Sequence, residues 1–273
     1  MIKNPAHSPS PRPNLLTIAG FDPSSGAGIT ADIKVFASHQ VIGLAAITAL
    51  TVQSTQGVRR VDPVSPDTLR QTLDCLAEDL PISGVKIGML ATAPVVDVVA
   101  DFLGNSGIPT ARIVLDPVLE SSSGRALLSG DGINLLKKRL LPLAGWVTPN
   151  LTELSILVGF EVSGRDSIPS VTAGLAARFP NLNIAVTGGH LDPPDDFLHT
   201  AQGVQQWFPG RRIETRSTHG TGCAFSSALL ARLVAGDSAP QAVAAAKSYV
   251  AEAMRAAVPL GRGHGPLNHL YKL

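Results

Sequence analysis

The chain has 273 residues, enough for one large domain or two small ones with a substantial buried core. Its 22 lysines and arginines face 21 aspartates and glutamates, and only 4% of residues are aromatic, which leaves no electrostatic or stacking case for nucleic acid or an anionic membrane. No run approaches the roughly 20 apolar residues of a membrane span and nothing reads as a secretory leader, so a cytoplasmic location is expected.

Residues 1–14 hold four prolines (5, 9, 11 and 13) among small polar residues and read as a loose tail. From residue 15 onward strand-like and helix-like stretches alternate. Leu15–Gly20 is a short apolar run ending in glycine, Asp22–Gly28 a turn-rich loop, and Ile29–His39 a helix. Leu44–Val52 is β-capable, Pro66–Asp79 a helix opened by its proline, and Gly84–Met89 a strand followed by a helix over Ala93–Leu103. Arg112–Asp116 repeats the strand theme, with a loop at 117–124 and a helix around 130–140. Gly145–Thr148 and Asn183–Thr187 are further strands, and Gly203–Phe208 with Arg211–Thr215 reads as a hairpin. Two Ala-rich helices follow residues 222 and 239. No linker interrupts 15–273, which reads as a single domain. The alternation predicts an α/β fold of three layers, αβα, with a mostly parallel central sheet between helices, and ligands at the carboxyl ends of its strands.

Several chemically loaded residues fall just after predicted strands. The Ser217-Thr218-His219-Gly220-Thr221-Gly222-Cys223 run opens an apolar helix, and free N–H groups at a helix start can face an anion. The same helix end is expected to lower the Cys223 thiol's pKa. Asp22 and Asp32 flank the first loop, as turn and surface carboxylates or as site groups. Gln53 ends an apolar run, where its carboxamide could pair with an aminopyrimidine-like edge or simply serve a loop. Met89 follows a strand and a glycine and reads more readily as core than as ligand wall. Asp116 closes a buried strand, so its charge needs a partner or a metal-bound water. Asn150 and Glu153 follow Pro149 at a helix start, either as a cap with its first-turn acid or as oxygen ligands to hydrated magnesium. Cys75, in Leu69–Leu76, reads as a helix-packing residue, and neither cysteine has a metal-site spacing. The chain contains no G-x-x-x-x-G-K-[ST] or G-x-S-x-G motif, and Gly20–Gly28 lacks the dinucleotide fingerprint.

Taken in order, Ala19–Ile29, Ile47–Thr55, Lys86–Leu90, Leu115–Val118, Thr148–Glu153, Gly188–His190 and Thr218–Cys223 resemble the hydroxymethylpyrimidine/phosphomethylpyrimidine kinases of thiamine biosynthesis, within the ribokinase-like superfamily. The resemblance covers roughly 15–270. It implies an ATP- and Mg2+-dependent kinase, a homodimer, acting on 4-amino-5-hydroxymethyl-2-methylpyrimidine and then on its monophosphate. It makes Gly220, Thr221 and Gly222 an anion hole and Cys223 the proton acceptor, where most of the superfamily carries an aspartate. Gln53, Met89 and Val118 map onto the substrate ring, with Gly20, Ala27 and Asp32 nearby. Glu153, with Asn150 and Asp116, would hold magnesium and water, and Lys247 falls near the nucleotide. Thr187 stands where the family often carries a lysine, leaving Lys247 or Arg125 to supply that charge. The rival implied by the same chemistry is a pyridoxal or pyridoxine kinase, against which Gln53 argues; a pyrimidine-binding regulatory protein is the distant one.

Overall fold

The computed structural model describes residues 12–121 and 124–272. A nine-stranded sheet forms the middle layer, in the order β3-β2-β1-β4-β5-β6-β7-β8-β9. Its strands are β1 (Asn14–Phe21), β2 (Ile42–Ser54), β3 (Gly57–Pro63), β4 (Ile82–Ile87), β5 (Ile113–Leu115), β6 (Trp146–Val147), β7 (Asn183–Val186), β8 (Asp196–His199) and β9 (Gln205–Phe208). The six from β2 to β7 in that order are parallel, while β3, β8 and β9 pair antiparallel at the two edges. Most of the loose tail expected over 1–14 lies outside the described residues.

Alternation along each strand divides the core between two helical layers. Leu16, Ile18, Val85, Ile87, Ile113, Leu115, Val147, Ile184 and Val186 pack toward one layer. That layer holds α2 (Pro66–Asp79), α3 (Ala93–Asn105), α4 (Gly130–Leu135), α5 (Leu151–Val158) and α6 (Ile168–Arg178). Leu15, Val114, Trp146 and Ala185 face the other, which holds α1 (Gly28–Ser38), α7 (Thr221–Val234) and α8 (Ala239–Arg255). A strand both of whose faces are covered reads as a continuous apolar run, which is why these segments were legible. Helix α7 is buried on nearly every side from Ala224 to Ala231, and its small residues allow that close packing.

From β1 the chain moves outward to β2 and β3, then returns past β1 to β4 and continues the other way. The order therefore reverses between β1 and β4, the switch point at which sheets of this kind hold ligands in a crevice beyond their carboxyl ends.

Two expectations are corrected and two elements went unread. The hairpin pairs β8 with β9, from Asp196↔Phe208 to His199↔Gln205, and Arg211–Thr215 forms no strand. Phe197 packs on Trp207 with ring centroids 4.7 Å apart, a contact that the prolines before Asp195 had disguised as loop. The edge strand β3 and helix α6 escaped the sequence pattern, β3 because its Arg59 and Arg60 are exposed. Cys75 is exposed on α2 instead of packed.

Candidate active site

The crevice is walled first by the β1–α1 loop. Asp22 Oδ1 accepts from Ser24 N at 2.8 Å and Ser24 Oγ at 2.7 Å, and Oδ2 accepts from Gly26 N at 3.1 Å and Ala27 N at 2.9 Å. His219 Nε2 lies 2.8 Å from the same Oδ2 and 3.0 Å from the Gln53 carboxamide. Burial works to raise the Asp22 carboxyl, but the His219 and Ser24 hydrogen bonds outweigh it and hold it below the usual carboxylate range. Gly20 faces the Met89 thioether so closely that a Cβ there would sit 2.9 Å from the sulfur. Met89 in turn clusters with Ala49, Ala91 and Leu127, with Val118 packed on the same group.

The start of α7 closes against that loop. Gly220 is its N-cap at φ 88°, and a Cβ there would fall 1.8 Å from the Gly26 carbonyl oxygen. Only glycine permits both the left-handed backbone and the approach. Thr221, Gly222 and Cys223 form the first turn, with their N–H groups at the end of the helix that attracts anions. A side chain at 222 would come within 4.0 Å of Asp116 Oδ2, which places the turn beside that carboxylate.

Beneath the turn lies a fully enclosed charge cluster. Lys86 points from β4 into the layer of α1 and α7, with Nζ 2.9 Å from Asp32 Oδ2 and 3.9 Å from Asp116 Oδ2. Asp32 also accepts from Thr17 Oγ1 at 2.6 Å and Ser227 Oγ at 2.7 Å, and Asp116 from Ser226 Oγ at 2.9 Å. Burial alone would pull the Lys86 ammonium down; the charge of Asp32 first, with that of Asp116 and the hydrogen bond to Asp32, holds it above its ordinary value. Burial pushes Asp116 up against the opposing pull of Lys86 and Ser226. Asp32 is wholly enclosed and spent on these partners, so it stands under the crevice and not against a ring in it.

Two further expectations meet resistance. Burial pushes the Cys223 thiol up to about 12; Lys86 opposes this, while Asp116 and Asp32 reinforce it. The helix start does not lower it below its ordinary value, because desolvation beside two carboxylates costs more than a helix end returns. Lys247 lies 2.9 Å from Asp196 Oδ2 and donates to the Pro194 carbonyl at 3.0 Å, so its charge is already matched. Arg125 donates to the Arg59 carbonyl at 2.9 Å.

Asn150 and Glu153 realise the cap reading in full. Asn150 Oδ1 accepts from Glu153 N and Glu153 Oε2 from Asn150 N, both at 2.9 Å. Asn150 also sits beside Thr187 across a parallel bridge, which joins the ends of β6 and β7. Glu153 is nonetheless buried, and burial, then the charge of Asp116, lifts its carboxyl to about 8. Two buried carboxylates, both raised, are a donor set that a hydrated divalent cation would relieve. Among the described residues no group of three or more His, Cys, Asp and Glu could hold a metal, so such an ion would keep most of its water.

The family model for phosphomethylpyrimidine kinase matches residues 22–268. This chain belongs to that family. It is 40% identical over 258 residues to the hydroxymethylpyrimidine/phosphomethylpyrimidine kinase of Bacillus subtilis, covering 93% of each chain. It is 39% identical over 265 residues to the thiamine biosynthesis bifunctional protein ThiED of Geobacter sulfurreducens, but spans only 53% of that longer protein. Among solved structures, phosphomethylpyrimidine kinase from Clostridium difficile 630 superposes with a TM-score of 0.78 at 32% identity, over 89% of this chain and 99% of that one. Staphylococcus aureus pyridoxal kinase in complex with AMP-PCP superposes at 0.85 and 27% identity, over 96% and 94%.

Within this phosphomethylpyrimidine kinase family member the residues that sequence reading passed over are Lys86, His219 and the Thr17, Ser226 and Ser227 hydroxyls. Lys86 carried a signal: a lysine inside Gly84-Val85-Lys86-Ile87 sits in a strand that is otherwise apolar, and a buried charge must be paired. His219 had only its place beside the Gly-Thr-Gly-Cys turn.

Proposed function

We propose that the chain is an ATP- and magnesium-dependent kinase, a cytoplasmic homodimer whose 15–273 segment is one catalytic domain. Its substrates are 4-amino-5-hydroxymethyl-2-methylpyrimidine and then the monophosphate, giving the diphosphate. The observation that carries this reading is the first turn of α7, opened by Gly220 against the β1–α1 loop, with Gln53 on one side and Asp116 beneath it. Phosphoryl transfer needs in-line positioning and charge neutralisation more than covalent chemistry. Met89, Val118, Gly20 and Ala27 shape the ring pocket, Gln53 pairs with the ring edge, and the Gly220, Thr221 and Gly222 amides face the transferring group. Glu153 and Asp116 would hold hydrated magnesium, which when bound supplies positive charge at the nucleotide phosphates. Asn150 and Thr187 line the same strand ends, and Lys247 buttresses the Gly188 turn through Asp196. Burial, Asp116 and Asp32 raise the Cys223 thiol, so it has first to give its own proton to solvent before it can take the hydroxyl proton, and matching the carboxylate charge around it lowers the cost of that loss.

Close superposition on pyridoxal kinase supports a second, weaker activity on pyridoxal. A coupled ATPase assay with hydroxymethylpyrimidine, its monophosphate and pyridoxal side by side tests both. Turnover of pyridoxal alone would overturn the first reading.

A further inference from the structure

His219 stands directly before the Gly220–Cys223 turn and meets two groups at one nitrogen, Asp22 and Gln53. Asp22 acts here purely as an acceptor, since its oxygens already take hydrogen bonds from Ser24, Gly26 and Ala27. The His219 Nε2 that faces it therefore carries the proton. A nitrogen bearing a proton cannot accept from an amide NH2, so the end of Gln53 lying 3.0 Å away has to be the carbonyl oxygen. The other end of the carboxamide gives the same answer independently. Thr51 Oγ1 lies 3.1 Å from it and 2.9 Å from the Phe21 carbonyl oxygen, which only accepts. A hydroxyl has a single hydrogen, so toward Gln53 Thr51 accepts, and the group it meets is NH2. A half-turn of the carboxamide gives Thr51 a donor, lets Oε1 share the single His219 Nε2 hydrogen with Asp22, and moves no other atom.

We propose that His219, held by Asp22, sets the donor–acceptor polarity of Gln53 and so decides which way round an aminopyrimidine lies in the crevice. With Oε1 toward His219 and NH2 toward Thr51, one lone pair and one N–H remain side by side on the free edge of the amide. That edge fits a ring nitrogen beside an exocyclic amino group: the ring nitrogen accepts on the Thr51 side, and the amino group donates on the His219 side. The hydroxymethyl carbon neighbours the amino-bearing carbon on the ring. It is thereby turned toward the end of the pocket where His219 leads into Gly220 and Cys223. A reversed amide would face donor with donor and acceptor with acceptor. His219 is thus a positioning residue that acts through Gln53. Gly26 leaves room for its ring, since a Cβ there would lie 2.4 Å from His219 Cδ2.

This inference rests on the pairing of Gln53 with an aminopyrimidine in the proposed function. Its test is a double-mutant cycle of His219→Ala, Gln53→Met and the pair. Dissociation constants and kcat/KM are measured for hydroxymethylpyrimidine and for pyridoxal, which lacks the ring-nitrogen and amino edge. His219→Ala is expected to weaken hydroxymethylpyrimidine about tenfold, pyridoxal far less, and to leave the discrimination ratio unchanged in the Gln53→Met background. His219→Gln keeps an N–H at similar reach and should recover most of the lost discrimination; it also carries the test if the alanine variant does not fold. Equal losses for the two ligands, or the same loss of discrimination with and without Gln53, overturn the role of His219. A parent chain that binds hydroxymethylpyrimidine without phosphorylating it overturns the kinase reading alone, because the dissociation constants still report on His219.

Discussion

At Cys223 burial and the charges of Asp116 and Asp32 work against the thiolate, while Lys86 works for it, and the balance leaves the thiol at about 12. A group so placed contributes only at the moment of proton transfer. Cys223→Ser, whose hydroxyl is a weaker acceptor still, should lower kcat on the order of 100-fold while the dissociation constant for hydroxymethylpyrimidine changes little. Steady-state kinetics beside binding titrations check this, and unchanged turnover would remove the proton-acceptor assignment. Glu153 invites a test of stability. Its carboxyl rises from the ordinary 4.5 to about 8, so between those values the folded protein holds a proton that the unfolded chain has released. Stability of the ligand-free protein should therefore fall as pH rises through that window. Glu153→Gln should remove that part of the slope in thermal melts taken across it; identical slopes would show that the carboxyl titrates elsewhere. Asn150 and Glu153 also show how far residue-level reading reaches. Their spacing supported a cap and a ligand pair equally, and the folded chain uses the cap while leaving both groups at the strand ends.

Among the elements, the β1–α1 loop and the first turn of α7 act as a unit. They meet at Gly26 and Gly220, and the C-terminal segment holds both: His219 N donates to the Gly265 carbonyl at 3.1 Å, and His269 Nε2 lies 3.2 Å from the Gly26 carbonyl oxygen. Tyr249 Oη donates to the His269 carbonyl at 2.5 Å and ties that segment to α8. Gly220→Ala adds a Cβ where the backbone is left-handed and the Gly26 oxygen is 1.8 Å away. It should cost more than about 1 kcal/mol in chemical denaturation and abolish most turnover. A variant of full stability and activity would mean that the two loops are free to part. The helix start itself was legible, because two glycines before an Ala-rich run announce it. The partner loop 197 residues away was not, since nothing local in Ser24-Ser25-Gly26 says what it packs against.

Across the whole molecule, the reversal of strand order between β1 and β4 gathers segments scattered from Gly20 to Cys223 at one edge. The Lys86–Asp32 pair bridges the sheet and the α1 and α7 layer at that point, with Ser227 and Thr17 completing the coordination of Asp32. Removing one member of a buried pair strands the other charge, so Lys86→Met should cost about 3–5 kcal/mol. The combination with Asp32→Asn should cost clearly less than the sum of the two single changes. Urea denaturation of the full cycle measures this, and strict additivity would mean that the two side chains do not act together.

By itself the sequence determined the alternation of strands and helices, the parallel core, the helix starts at Pro66, at Asn150 and close to Cys223, and through ordered motifs the family. All of these depend on local backbone preference and hydrophobic period, which neighbouring residues carry. Only the tertiary structure decided that Lys86 neutralises Asp32, that His219 joins Asp22 to Gln53, that Lys247 is matched by Asp196, and that the Cys223 thiol is raised instead of lowered. Those outcomes depend on burial and on charges brought together from distant positions, and desolvation exists only once the layers have closed over the groups concerned.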